Sequence, residues 1–294
     1  MANPSNSAGN LRNIAFSDVK IQVLALDRFP KILIRWELEK TTQNLKNLKF
    51  IIHRGESPEE LKPISQEISH NSLYEYVDTD PAMRVNHKNY FYRIDAVEYR
   101  SNAIVQTFQS EIATWENQID LVGLYIVEEH EFKYRYIGGQ PVMIFKNRRD
   151  GAYCCECWDT VLKRPTKSNC QTCHGTGKQE GFFNPITTWM DLNPSPEVVT
   201  IAEFGEKGVG QRDGELTNYP LLDSRDIILD VVTNDRWRVE SIHPVLNRHQ
   251  VVIRQLVRLS LINKTDIEYK MCVDEGLRKQ LVDEFHEITQ EREF

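Results

Sequence analysis

Four cysteines near the middle of the chain have the types and spacing best suited to chemistry. Cys154 and Cys157 form one C-x2-C pair, and Cys170 and Cys173 form a second pair after twelve intervening residues. Two such knuckles can place four thiolates around one Zn²⁺ ion in tetrahedral geometry. Because four thiolates leave no open position for water, the pattern predicts a structural Zn²⁺ site and argues against catalysis.

Two disulfides are the alternative use of these cysteines, and disulfides need an oxidising compartment. The segment from Met1 to Asn13 is polar and predicts no secretory signal, so the spacing favours zinc. Cys155 and His174 lie beside the expected ligands, and either residue can replace one of them. Cys272 stands apart and is predicted to be a small buried hydrophobic residue.

Glycines follow the second cysteine pair and give its backbone unusual freedom. Gly175 and Gly177 come directly after Cys173 and His174. Glycine adopts the positive φ that lets backbone amides turn toward a thiolate. This half of the module resembles the C-x2-C-x-G-x-G unit of the J-protein cysteine-rich domain. That family repeats the unit, whereas this chain contains it once, so the chaperone activity is not carried over.

Composition and motifs exclude several classes of protein. The 294 residues, 40% hydrophobic and 27% charged, are typical of a globular protein of about two domains. No stretch reaches the length of a membrane span. The sequence has no His-Glu-x-x-His metalloprotease motif and no Gly-x-Ser-x-Gly nucleophile elbow. The segment from Gly205 to Gly214 is predicted to be a polar loop, and it lacks the ending of a nucleotide P-loop. We therefore predict no enzyme, with no catalytic or cofactor-binding residues.

The N-terminal third is predicted to be all-β. Apolar and polar residues alternate from Ile32 to Leu38 and again from Tyr90 to Ala96, which is the period of a half-buried strand. About seven short strands between Val19 and Trp115 suit a β-sandwich. A closer resemblance is carried by Trp36, Phe50, Ile52, Arg54, Tyr90, Tyr92 and Arg93. These residues resemble a fibronectin type III domain, which implies a binding or spacing module without chemistry.

The remaining two thirds are predicted to form a second, β-rich unit. A helix is predicted from Asn117 to Ile137, and it ends at the glycine pair before Pro141. Apolar strands follow the cysteines at Ile227 to Val232, Trp237 to Ile242 and Val251 to Ile262. A meander of this kind needs closure into a barrel or a partner, because long apolar edges aggregate.

The predicted fold class is mainly β with some α. An N-terminal extension, 1–18, precedes a fibronectin type III-like β-sandwich over 19–115. A β-barrel-like domain spans 116–273 and carries the zinc module as an insertion at 152–180. Residues 274–294 are predicted to form an amphipathic helix whose apolar stripe has no obvious partner within the chain, so the stripe is predicted to be an assembly surface. The stripe consists of Leu277, Leu281, Phe285 and Ile288.

The C-terminal strands carry a further resemblance. An Asp-Ile-Ile-Leu strand is followed by the segment from Asp235 to Val239, a turn from Asn247 to His249 and a long strand. In this order they resemble the small β-barrel proteins of tailed-bacteriophage necks, the head-completion, adaptor and stopper class. The resemblance implies a structural virion protein, assembled in the host cytoplasm, that forms an oligomeric ring in the head–tail connector. Its implied partners are copies of itself, other neck, portal or tail proteins, and DNA passing non-specifically through a channel, with no membrane.

Two other functions remain open at this point. In a zinc-ribbon nucleic-acid-binding protein, the basic residues beside the cysteines would contact phosphates. The residues assigned to that role are Lys146, Arg148, Arg149, Lys163, Arg164 and Lys167. The net charge of −7 favours the connector, because an acidic channel lets DNA slide whereas a basic wall would hold it. A metal-dependent enzyme is the least supported alternative.

Overall fold

The computed structural model describes residues 14–26, 29–39, 43–79, 90–114, 121–192, 201–202, 205–206, 210–246 and 252–292. These residues form mainly antiparallel β-sheet with two α-helices. The prediction of a mainly β protein with some α is confirmed.

The N-terminal strands form two antiparallel sheets. The strands are β1 (Phe16–Leu26), β2 (Phe29–Leu38), β3 (Leu48–Gly55), β4 (Lys62–Pro63), β5 (Ile68–Ser69), β6 (Glu75–Asp78), β7 (Phe91–Arg100), β8 (Ala103–Gln109) and β9 (Ala113–Thr114). One sheet has the order β1-β2-β6. The other has the order β4-β3-β7-β8, with β5 paired to β3 and β9 paired to β7. β1 begins within the segment assigned to the N-terminal extension.

One apolar core joins these two sheets. Trp36 of β2, Phe50 of β3 and Tyr92 of β7 are almost completely buried in it. The Trp36 ring lies 5.2 Å from Phe50 and 6.1 Å from Tyr74, measured between centroids. Alternating burial along β3 shows how the period-two pattern places one face of the strand in this core.

The second part of the chain begins with a helix. Its elements are α1 (Leu121–Phe132), a π-helical turn (Lys133–Gly138), β10 (Gln140–Phe145), β11 (Trp158–Asp159), β12 (Arg164–Pro165), β13 (Ile186–Met190), β14 (Ile201–Ala202), β15 (Gly205–Glu206), β16 (Gln211–Thr217), β17 (Ile227–Asp230), β18 (Arg236–Leu246), β19 (Val252–Leu261), a 3₁₀ turn (Ile267–Lys270) and α2 (Glu275–Arg292). The predicted helix ending at the glycine pair is present. No helix of the described residues is long and apolar enough to cross a membrane.

Six strands form a sheet that curls until its edges touch. Their order is β13-β10-β17-β18-β19-β16. Asp191, directly after β13, and Glu215 of β16 exchange two backbone hydrogen bonds, with N···O distances of 3.0 and 2.9 Å. Ile144, Ile228 and Leu259 belong to the core on one face of the sheet. Among the described residues the edges meet only at this bridge, so the sheet is not a closed barrel.

The segment from Gly205 to Gly214 is not the loop that its composition predicts. Part of it belongs to β16, which pairs with β19 along its whole length. A Cβ atom on Gly214 would lie 2.4 Å from the Met190 Cε atom, so the end of that side chain would have to shift. The loop prediction is wrong because the outer part of β16 is polar and partly exposed, and tertiary pairing rather than apolar alternation makes it a strand.

The apolar stripe of α2 packs against the chain itself. Leu277 and Leu281 lie against the core on the second face of the curled sheet, which includes Phe145. Ile288 is buried, and the Phe285 ring centroid lies 6.2 Å from that of Trp189. The expectation that this stripe lacks an intrachain partner is wrong, because β10 and β17 are apolar on both faces and need a cover on each.

Candidate metal centre

Four sulfur atoms meet in one buried cluster. The Sγ atoms of Cys154, Cys157, Cys170 and Cys173 all lie within 4.8 Å of one another. The Cys154–Cys170 distance is 3.6 Å and the Cys157–Cys173 distance is 3.4 Å. Sulfurs placed tetrahedrally at about 2.3 Å from a Zn²⁺ ion would be about 3.8 Å apart. The cluster therefore has the dimensions of a site that can hold a metal ion such as Zn²⁺.

Disulfides do not join these cysteines. All six cysteines are free, and the sulfur separations in the cluster far exceed the bonded distance of about 2.05 Å. Of the neighbouring candidates, Cys155 is exposed. The half-buried His174 ring lies 6.5 Å from Phe182 and is not part of the cluster. Cys272 is exposed, so its predicted burial is wrong: it lies on the segment between the 3₁₀ turn and α2, outside the apolar face.

Backbone amides of the second knuckle point toward the sulfur atoms. The N–H groups of Thr172 and Cys173 donate to Cys170, and those of Gly175 and Gly177 donate to Cys173. The two glycines have φ of 82° and 77°. This left-handed backbone is the role that the glycine spacing predicts.

Burial disfavours the charged form of the cluster on its own. It raises the pKa of the Cys157 and Cys173 thiols, and hydrogen bonds among the sulfurs contribute further at Cys157. Burial acts in the same direction at Cys170, but hydrogen bonds from the amides of Cys173 and Thr172 and from the neighbouring thiols together outweigh it and lower the pKa of that thiol. A divalent cation would supply the charge that four buried thiolates need, and its binding would release protons.

The first knuckle continues into a short hairpin of β11 and β12. Trp158 N–H donates to the Cys154 carbonyl at 3.1 Å, which closes the knuckle. Asp159 Oδ1 accepts hydrogen bonds from the amides of Val161 and Leu162 at 2.7 and 2.9 Å. These bonds order the hairpin tip although its apolar side chains are exposed, Val161 by 86% and Leu162 by 55%.

An aromatic stack closes the base of the cysteine module. The Tyr153 and Trp158 rings stack at 3.8 Å with an 8° interplanar angle. The Lys178 ammonium lies 4.2 Å from the Tyr153 ring centroid. A Cβ atom on Gly177 would lie 3.3 Å from the Trp158 ring, so the absence of a side chain at this position leaves room for the indole. Tyr153 and Lys178 also form a backbone bridge, which marks the two ends of the insertion.

Below the module, Lys146 is buried in an ion-pair network. Its ammonium lies 2.5 Å from Asp226 Oδ2, 3.1 Å from Asp223 Oδ2 and 2.7 Å from the Leu221 carbonyl. Asp226 Oδ1 also accepts a hydrogen bond from the amide of Asn147 at 2.9 Å. We call this group, together with Arg148, the hub. It fastens the insertion to the curled sheet.

Arg148 fastens the same place to the N-terminal sheets. Its guanidinium donates to the His70 carbonyl at 3.1 Å and to Asn71 Oδ1 at 3.2 Å. It also lies 4.4 Å from the Phe183 ring centroid. A second backbone bridge, between Asn147 and Phe182, forms the stem from which the insertion leaves. The hub therefore contacts all three parts of the chain.

The hub changes the interpretation of the basic residues. Lys146 and Arg148 are only 4% and 5% exposed, so they cannot contact phosphates as the nucleic-acid hypothesis expects. The remaining residues of that set are exposed: Arg149, Lys163, Arg164 and Lys167. Sequence reasoning missed the hub because a lysine-arginine run resembles a solvated surface. β10 is buried on both faces, so its sequence has no period-two pattern that would place the two residues inside.

Comparison with known proteins adds no relative to this picture. No protein-family model matches the chain, and no curated protein is significantly similar to it. The assignment of the metal centre therefore depends on the four sulfur atoms, their burial and the amides around them.

Proposed function

We propose that the protein is a structural virion protein that forms an oligomeric ring in the head–tail connector of a tailed bacteriophage. The observation that carries the proposal is an exposed apolar row on α1 and the π-helical turn. Its side chains, each 41–68% exposed, are Val122, Tyr125, Phe132, Tyr136 and Ile137. An exposed apolar surface of this kind typically marks a protein–protein interface.

The strands that resemble neck proteins support the same function. β17, β18 and β19 are consecutive neighbours in the curled sheet; β17 contains the Ile-Ile-Leu part of the Asp-Ile-Ile-Leu segment, and β18 begins with Arg-Trp-Arg-Val. A small antiparallel sheet curled around its own core fits the β-barrel-like domain of that class. The DNA would pass through the ring and not through the sheet, whose interior is filled by side chains.

The N-terminal sheets fit a fibronectin type III-like sandwich. Their strand orders place a three-stranded and a six-stranded sheet around the buried Trp36 and Tyr92. In the proposed ring this domain would project as a spacing or binding module. The cysteine module would hold one structural Zn²⁺ through Cys154, Cys157, Cys170 and Cys173, with no position left for substrate chemistry.

Electron microscopy of tailed particles tests the proposal. Gold-labelled Fab fragments raised against the purified protein are added to particles from cells that carry the gene. The expected result is label at the neck, between head and tail, and its loss from particles made after depletion of the gene product. Label on the capsid or tail tip, or no label on any particle, would contradict the connector function.

Zinc-dependent nucleic-acid binding is the second candidate, and one cavity favours it. The cavity measures about 690 Å³ and lies at the base of the cysteine module, where Arg149, Lys178, Arg225 and Arg238 line it. Arg149 faces Asp223 at 3.6 Å and Arg238 pairs with Glu268, which weakens the positive field there. Fluorescence anisotropy with labelled DNA at rising salt distinguishes the candidates. Strong, steeply salt-dependent binding would favour this second function.

A further inference from the structure

We propose that the hairpin tip of one copy docks on the outward face of α1 in the next copy. The hairpin tip is residues 160–169, and the α1 face is the outward surface of α1 and the π-helical turn. This inference rests on the proposed ring and deepens it, because it names the two surfaces that would touch. The occupant of the α1 face is thus a second copy of this chain.

The hairpin tip combines two exposed apolar side chains with a positive field. Val161 is the most exposed large hydrophobic residue described, and Leu162 is beside it. Lys163, Arg164 and Lys167 follow within the same segment, and these three cations outnumber the single carboxylate of Asp159 at its base. Hydrogen bonds from the amides of Val161 and Leu162 to the Asp159 side chain stabilise the backbone turn that carries these side chains.

The α1 face has the opposite character. A groove of about 600 Å³ runs along it between the rings of Tyr125, Phe132 and Tyr136. Three carboxylates also line the groove: Glu128, Glu129 and Glu131. Among the described residues the cation in its lining is Arg135, which pairs with Glu284 at 2.7 Å, so the three carboxylates outnumber it. The groove therefore offers an apolar floor within a negative field.

Among the described residues, Lys133 near the groove pairs with carboxylates of the curled sheet, and the inner face of the helix is packed against the chain. Lys133 is turned toward Asp191 and Glu215, at 3.5 and 3.6 Å. Val127 and Tyr134 are buried beneath the helix, where α1 contacts β1, β16 and β19. The outward side thus remains exposed in the single chain while the inward side is fully packed.

The two surfaces complement each other in charge and in apolar character. Both are exposed in the same chain, so one copy does not satisfy its own groove with its own tip. They are also different surfaces, and contact between different surfaces of identical subunits is heterologous. Heterologous contacts repeated by a closing rotation generate a ring. The docking of tip on helix is therefore a contact that suits ring assembly.

Charge reversal tests the proposal on the full-length, zinc-loaded protein. The tip variant carries Lys163→Glu, Arg164→Glu and Lys167→Glu. The face variant carries Glu128→Lys, Glu129→Lys and Glu131→Lys. Sedimentation equilibrium at low salt should show concentration-dependent association of the unmodified protein, and each variant should associate at least about tenfold more weakly.

The decisive experiment is whether association returns when the two variants are mixed. An equal mixture of the two variants pairs an acidic tip with a basic face and a basic tip with an acidic face, so association should return. A chain that carries both sets of substitutions should also associate with itself. Zinc content and circular dichroism identify any variant that fails to fold. In that event Val161→Ser with Leu162→Ser, which leaves every charge in place, should weaken association in the same assay.

Three outcomes would overturn the proposal. They are an unmodified protein that stays monomeric at every soluble concentration, reversed variants that associate normally, and a mixture that does not recover. A tip variant that loses DNA binding while it associates normally would assign the hairpin tip to nucleic acid instead. Each of these results leaves gold labelling at the neck unaffected, so failure of this contact is distinguishable from failure of the connector function.

Discussion

The N-terminal sheets and the cysteine module are organised on opposite principles. The sheets bury a continuous apolar core that includes Trp36, Phe50 and Tyr92. The buried cluster of the module consists of four cysteines alone. A segment as short as 152–180 lies below the length of about 40 residues at which a chain usually sustains its own core. The comparison indicates that the sheets are stabilised by their own side chains, whereas the module would depend on the metal ion that its four cysteines can hold.

Metal removal should have the largest effect: it should unfold the cysteine module and leave the N-terminal sheets folded. Because the free energy of structural Zn²⁺ binding is about 10–16 kcal/mol and is folding free energy, chelation should unfold the module. Cys157→Ser should have the same effect. Elemental analysis should find one zinc per purified chain, and hydrogen exchange should show loss of protection over 152–180 with continued protection in β3 and β7.

The chain provides a matched control for that substitution. Cys155 lies in the same knuckle but is exposed and outside the cluster. Cys155→Ser should keep both the zinc and the protection of the module. Equal zinc loss in the two variants, or no zinc in protein purified without chelator, would contradict a site made by the four buried cysteines.

A cavity created in the core of the N-terminal sheets should destabilise them. Trp36→Ala removes a ring that packs against Phe50 and Tyr74, and we expect a loss of about 3–5 kcal/mol in the free energy of unfolding there. Chemical denaturation with hydrogen exchange of β2 and β3 measures the effect. Zinc content should not change. Ile104→Ala, at a 61% exposed position on β8, should alter stability by less than about 0.5 kcal/mol.

The hub should couple the stability of the cysteine module to that of the curled sheet. Asp226→Asn leaves the Lys146 ammonium buried without its closest carboxylate, and breaking a buried pair costs about 3–5 kcal/mol. Protection should fall both in the stem of the module and in β17. Adding Lys146→Met should recover part of the loss, because it removes the buried charge. If the double variant is less stable than Asp226→Asn, the burial argument is wrong.

Acid should produce the smallest effect, and it should appear in the N-terminal sheets. Burial lowers the pKa of His70 below its ordinary value of about 6.5, against the opposing effect of Glu180 at 3.3 Å. Since the unfolded chain binds the proton more readily, this contribution to stability is complete above pH 6.5 and is lost as the pH falls through the lowered pKa. Hydrogen exchange of β5 and β6 should accelerate accordingly. His70→Gln should reduce that pH dependence, and an unchanged dependence would contradict it.

Local patterns predicted the features that are determined locally. The C-x2-C spacing identified all four members of the sulfur cluster, and period-two alternation located β2, β7 and β19. β16 could not be predicted in this way, because its outer residues are polar and its pairing with β19 is a tertiary contact. The stripe of α2 was recognised, but its partner was not. The sheet face that receives it includes residues far away in the sequence, and no local pattern encodes that packing.

The exposed apolar row on α1 also could not be predicted from local patterns. Tyr125, Phe132 and Tyr136 were recognised as helical, but their spacing alone does not say which side of the helix faces water. The buried lysine and arginine of the hub were likewise assigned to the surface, because charge is a good guide to exposure only where no buried partner exists. Their partners lie more than seventy residues away in sequence.

The stem of the cysteine module has a consequence for how the chain can change in evolution. Its two bridges, Asn147 with Phe182 and Tyr153 with Lys178, bring the chain back to the point from which it left. A whole module can therefore be gained, lost or exchanged at this point without stretching any strand of the host fold. The same position is the natural graft site for an engineered tag.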